Sequence, residues 1–146
     1  MILIDSTFTL EKITGTDDQI RALYDILIIR THNISNTKSP SIEEHIKFAQ
    51  NHPYRIWYLV KVNSNYIGSA YLMENNCVGI NLITNFDLFP NIVKTILKKH
   101  KPLKEIKSVR PPYFYINIAP DNEEGEAQLM KLHAQKIQST FILTPI

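Results

Sequence analysis

The segment from Arg55 to Ile83 constrains this chain most. "RIWYLVKV", "YIGSAYLM" and "CVGINLI" are rich in β-branched and aromatic residues, and only "NSN" and "ENN" separate them. Such short polar connections leave no room for a crossover, so the spacing predicts three consecutive strands in an antiparallel meander. Helical patterns flank it on both sides. A first strand, Phe8 to Ile13, precedes Thr16-Asp17-Asp18-Gln19, which has capping-box spacing. Ile20, Leu23, Tyr24 and Leu27 follow at helical intervals, and that helix is expected to end near Arg30. After a polar loop to Pro40, Ser41-Ile42-Glu43-Glu44 forms a second capping box that opens "IEEHIKFAQNH".

Beyond the meander, a helix from about Pro90 to His100 carries proline in its first turn, where it is tolerated. A loop with Pro102, Pro111 and Pro112 leads to the expected strand "YFYINIA". Asp121 or Asn122 can cap a last helix through about His133, and "KIQSTFIL" is expected to close the chain as a strand. The order β-α-α-β-β-β-α-β-α-β implies an α/β chain of layered α+β character. Its sheet is mixed and mostly antiparallel, with one parallel pair and helices on both faces. A parallel pair of this kind can splay into a crevice at the strand ends, a common place for a ligand.

Composition narrows the function classes. At 146 residues without repeats or linkers, the chain reads as one domain, 1–146. The single cysteine, Cys77, excludes an internal disulfide framework and a paired-cysteine zinc site, so no metal is expected. "MILID" is too short for a secretory core, and no apolar run approaches the roughly 20 residues that span a bilayer. The expectation is a cytoplasmic protein with no membrane partner. A net charge of +2 does not argue for nucleic acid. The span "KTILKKHKPLKEIKSVR" reads first as a solvated face. Trp57, Tyr58, Tyr113 and Tyr115 alternate with apolar residues and read as sheet core, and Cys77 as a small buried hydrophobe.

Two stretches, together covering most of the chain, resemble the GNAT superfamily of acyl-CoA N-acyltransferases. "IRTHNISNTKSPSIEEHIKFAQNHPYRIWYLVKVNSNYIGSAYL" is similar to the front half of members that acetylate amino sugars or ribosomal proteins. "INIAPDNEEGEAQLMKLHAQKIQSTFIL" is similar to the family's closing strand, helix and strand. The resemblance implies acetyl-CoA or another acyl-CoA as co-substrate and a small primary amine as acceptor. It implies that the backbone of Asn81, Leu82 and Ile83 binds the pantetheine arm and polarises the thioester carbonyl. It also places the pyrophosphate on a turn at the next helix N-terminus, at Phe89, Asn91, Ile92 and Val93, and a pantetheine contact at Asn122.

That turn departs from the family's pattern. Relatives have glycines, which let backbone amides approach phosphate, whereas this chain reads "LFPNIVKTIL". Pro90 has no N–H, and Asp87 adds negative charge. The strand before it holds no carboxylate to serve as base, and Leu129 stands where relatives often have an acidic tyrosine. His45 and His32, in the segment that lines the acceptor side in relatives, are the candidate proton acceptors, since histidine titrates near neutrality. The alternative is a GNAT-fold binding or regulatory module without catalysis. A homodimer is expected, with a second subunit completing the sheet.

Overall fold

The computed structural model describes residues 8–30 and 40–146. Five strands form one sheet in the order β1 (Thr9–Lys12), β2 (Ile56–Val62), β3 (Asn65–Leu72), β4 (Cys77–Leu82), β5 (Tyr115–Ile116). The first four are antiparallel neighbours, and β4 pairs with β5 in parallel. The meander expected from Arg55 to Ile83 is therefore the centre of the sheet.

Strand alternation assigns each residue to a face. Trp57 and Leu59 point to one face and pack with Ile20, Leu23 and Ile26 of α1 (Asp17–Ile29) and Ala49 of α2 (Ile42–Gln50). Val60, Ala70, Leu72 and Val78 point to the other and pack with Ile92 and Ile96 of α3 (Phe89–Lys99). The last helix, α4 (Glu123–Lys131), lies beside α3. The sheet thus has helices on both faces and two separate hydrophobic clusters.

Both capping boxes form. Thr16 accepts from the Gln19 N–H at 3.2 Å, and Ser41 accepts from the Glu44 N–H at 3.2 Å. The buried Gln19 also ties α1 to β1: its Oε1 accepts from the Thr14 and Gly15 amides, and its Nε2 donates to Glu11 and the Lys12 carbonyl. A second polar tie was not visible in the sequence. Asn76, fully buried in the β3–β4 turn at φ 73°, donates to the Leu103 and Pro111 carbonyls and accepts from the Leu103 amide. This one side chain fastens the proline-rich loop to the hairpin, which places β5 beside β4.

Three expectations need correction. "KIQSTFIL" forms no strand: residues 134–146 have no sheet partner among the described residues, and Phe141, Ile142 and Leu143 are 81%, 95% and 89% exposed. Apolar patterning states what could face a sheet, but pairing also needs an available edge. The strand expected at "YFYINIA" shrinks to two residues because the chain leaves the ladder after Ile116. Tyr113 consequently lies outside the core, 48% exposed.

Candidate active site

The parallel ladder couples Cys77 to Tyr115 and Val78 to Ile116 and stops there, whereas β4 continues to Leu82. From Gly79 onward β4 therefore has no strand partner on that side among the described residues, and its edge is free. In an antiparallel ladder alternate residues bond to the partner. The Ile83 N–H donates to the Ile67 carbonyl at 2.9 Å, so it is directed into the sheet, toward β3. By the same alternation, Leu82 and Ile80 present their amides and carbonyls to the free edge. Of the three backbone positions expected to meet a thioester, Leu82 is directed to the free edge. Ile83 is not, because its amide is engaged and its side chain packs in the α1–α2 cluster.

The turn after β4 is closed. Asn85 takes a left-handed conformation at φ 54°, and a 3-10 turn, Phe86–Leu88, runs directly into α3. The Leu88 amide donates to the Asn85 carbonyl at 2.9 Å, and the Phe89 amide donates to the Phe86 carbonyl. Pro90 has none to offer. Helix N-termini bind anions through their unpartnered amides; of those at 88–91, only that of Asn91 is left outside these bonds. Phe89 and Ile92 are buried with the α3 face, while Asn91 is exposed and its carbonyl accepts from the Thr95 hydroxyl. Pro90 and the engaged Leu88 and Phe89 amides leave the start of α3 fewer donors for an anion than a glycine-rich turn would offer. Asn122 caps α4, its Oδ1 accepting from the Gly125 amide at 2.9 Å.

On the opposite face, a cavity of about 400 Å³ opens between α1, α2 and the sheet. Its aromatic wall is built from Phe48, Tyr54, Trp57 and Tyr71. Tyr54 and Tyr71 stack at 4.2 Å and 14°, and Trp57 meets Tyr54 edge-on at 5.0 Å. Gly79 permits this arrangement, since a Cβ there would overlap the Tyr71 ring. Burial, with the neighbouring Tyr71, pushes the Tyr54 hydroxyl up to about 12, so it stays protonated. Ser69 and Asn81, cross-strand partners on β3 and β4, add polar groups, and Arg30 and Glu44 come from the ends of α1 and α2.

His45 lines this cavity and is buried. Its Nε2 lies 3.2 Å from the Ile20 carbonyl, which requires that nitrogen to carry the proton. Burial lowers its pKa, the Ile20 carbonyl opposing, so the ring is neutral at neutral pH. Its role as tether between α1 and α2 is therefore explicit, and Nδ1 is the nitrogen left to accept a proton. His32 lies outside the described residues. Glu74 is exposed at the β3–β4 turn, and Cys77 is buried with its thiol pushed up by burial.

The sequence reading missed Arg30, Tyr54 and Tyr71 as cavity residues. The pairing register sets Trp57 opposite Tyr71 on one face, and the placement of α1 brings Arg30 to the same cavity. No group of three or more acidic, histidine or cysteine side chains among the described residues could hold a metal ion. None of the described helices is long and apolar enough to cross a membrane.

A mixed, mostly antiparallel sheet with one parallel pair, covered by two helices on one face and α3 on the other, is the GNAT fold. No protein-family model matches the sequence, and no curated protein matches it. Solved structures do. A domain from Methanocaldococcus jannaschii superposes with a TM-score of 0.69 over 91% of each chain at 18% identity. RimL, a ribosomal L7/L12 alpha-N-protein acetyltransferase in complex with coenzyme A, gives 0.65 at 14% identity, covering 89% of this chain and 81% of its own. The spermidine/spermine N-acetyltransferase SpeG from Vibrio cholerae gives 0.58 at 15%, covering 87% and 78%.

Proposed function

We propose that this protein is an acyl-CoA-dependent N-acyltransferase acting on a small primary amine. The observation that carries it is the free edge of β4 from Gly79 to Leu82, opened by the early end of the β4–β5 ladder. An acyl-pantetheine arm can pair with such an edge as an added strand would, and the Leu82 amide then polarises the thioester carbonyl. The amine enters from the aromatic cavity, whose wall includes Asn81 of the same strand. Its lone pair attacks the carbonyl carbon, the new C–N bond forms, and the C–S bond breaks. The thiolate takes up a proton, and the amine nitrogen releases one. Neutral His45, which lines that cavity, is the candidate to receive it, at Nδ1. Two of these fold neighbours are acetyltransferases, one of them in complex with coenzyme A, which supports this reading.

With the Leu88 and Phe89 amides engaged and Pro90 offering none, coenzyme A would be held chiefly by its arm. That same observation favours a second reading, a binding or regulatory module without turnover. Thermal shift with coenzyme A and acetyl-CoA separates the two. Saturation at 100 times the dissociation constant adds about 2.7 kcal/mol of stability. A shift with both ligands, followed by acetyl transfer to a primary amine, is the expected result. The absence of any shift at millimolar ligand overturns the transferase reading and leaves the module.

A further inference from the structure

Arg30 is the cationic residue in an otherwise largely aromatic and apolar cavity wall. It closes α1, lines the cavity and is half-buried. Its Nε is buried and has no hydrogen-bond partner among the described residues. A guanidinium stays charged in proteins, and a buried charge is costly unless it is paired. Among the described residues none of the carboxylates forms an ion pair with it. Glu44 lines the same cavity, but its Oε1 accepts from the Ser41 amide at 2.9 Å as part of the α2 cap.

The surroundings narrow what the missing partner is. Planar fork donors match a carboxylate. The stacked Tyr54 and Tyr71 rings and the Trp57 edge supply an apolar wall for the body of a molecule, and about 400 Å³ fits a small one. Glu44, held ionised by the Ser41 hydrogen bonds, puts negative charge at the rim and disfavours a dianion such as phosphate. Ser69 and Asn81 lie on the sheet side, Asn81 on the strand that carries the free edge.

Resting on the reading of this cavity as the amine site, we propose that the acceptor is a small amino monocarboxylate with an aromatic or apolar body. Its carboxylate pairs with Arg30, its body lies along the tyrosines, and its amine is directed toward β4. The test is calorimetry on the full chain without acyl-CoA, using phenylalanine, phenylacetate, phenethylamine and inorganic phosphate. Phenylalanine and phenylacetate are expected to bind at least tenfold more tightly than phenethylamine or phosphate. Arg30→Gln is expected to weaken both carboxylates at least tenfold and leave phenethylamine within twofold, with Arg30→Lys intermediate. Should the variants fail to fold, the carboxylate preference of the wild-type protein decides alone. Equal binding of phenethylamine, binding of none of the probes, preference for phosphate or indifference to Arg30→Gln each overturns the proposal. Because acyl-CoA is absent from these titrations, they fail independently of the coenzyme A test.

Discussion

The two faces of the sheet treat their helix ends in opposite ways. On the α1–α2 face, the end of α1 leaves a charged side chain incompletely partnered beside a cavity, and β3 and β4 add Ser69 and Asn81. On the α3 face, a 3-10 turn engages the Leu88 and Phe89 amides, proline removes another, and Phe89 and Ile92 are buried. The α1–α2 face holds a cavity with polar groups in its wall, and the α3 face closes part of its amides off within its own turn. The difference teaches that the fold's framework and its ligand contacts are separable. Sheet order and helix placement follow from apolar patterning, while binding depends on which backbone and side-chain groups are left without internal partners.

The largest test of this contrast is the core beneath α3. Ile92 is 0% exposed, so Ile92→Ala is expected to cost about 2–5 kcal/mol by denaturant unfolding. Phe48, at the cavity rim and 43% exposed, is expected to cost far less when truncated to Ala. Similar losses at the two positions would mean that the α3 face is not the closed one.

Next in size is the test of Asn122. If it serves as the α4 cap, Asn122→Ala costs about 1 kcal/mol, comparable with Thr16→Ala at the α1 cap. A stability change well below that of Thr16→Ala would show that the Asn122 side chain is held for another purpose.

A third variant reverses the sign. Arg30→Gln removes a half-buried cation that no described residue pairs, so it is expected to stabilise the free protein by about 0.5 kcal/mol, as replacements at ligand sites often do. Destabilisation by more than about 1 kcal/mol would mean that the guanidinium already serves the fold, and the contrast between the faces would weaken.

These expectations also show how far the sequence was legible. The meander, both capping boxes and the α3 amphipathic face follow from local patterns, because turn residues and apolar periodicity act within a few positions. The parallel pair followed from element order. What stayed hidden depends on contacts distant in sequence. Asn76 reads as one of two asparagines in a turn, yet it reaches Leu103 and Pro111. Arg30 reads as the end of a helix, yet it meets a cavity walled by Tyr54 and Tyr71. "KIQSTFIL" carries strand composition without an edge to join. The missing glycines announced an altered turn, but only the 3-10 geometry shows that its amides are engaged.

The smallest effect concerns protonation. Burial lowers the pKa of His45 and His52 on the cavity side and of His100 beside α3, where Arg55 and Lys99 add to it. His52 is held neutral in a visible way, since its Nδ1 accepts from the Tyr54 amide at 3.2 Å. Each of these groups binds its proton less readily folded than unfolded. Above the ordinary value of 6.5 both states are neutral and nothing is gained or lost. As pH falls below it, the unfolded chain takes up protons first, so stability declines until the folded value is passed. Glu11 and Glu44, whose carboxylates are held down by hydrogen bonds, add a separate loss only as pH falls through and below 4.5. The melting temperature is therefore expected to be flat from pH 8 to 7 and to fall gradually toward pH 5.5. His45→Gln and His52→Gln together should flatten more of that fall than His100→Gln, because two of the three neutral rings belong to the cavity face. A fall governed by His100 alone would place the protonation strain on the α3 face instead.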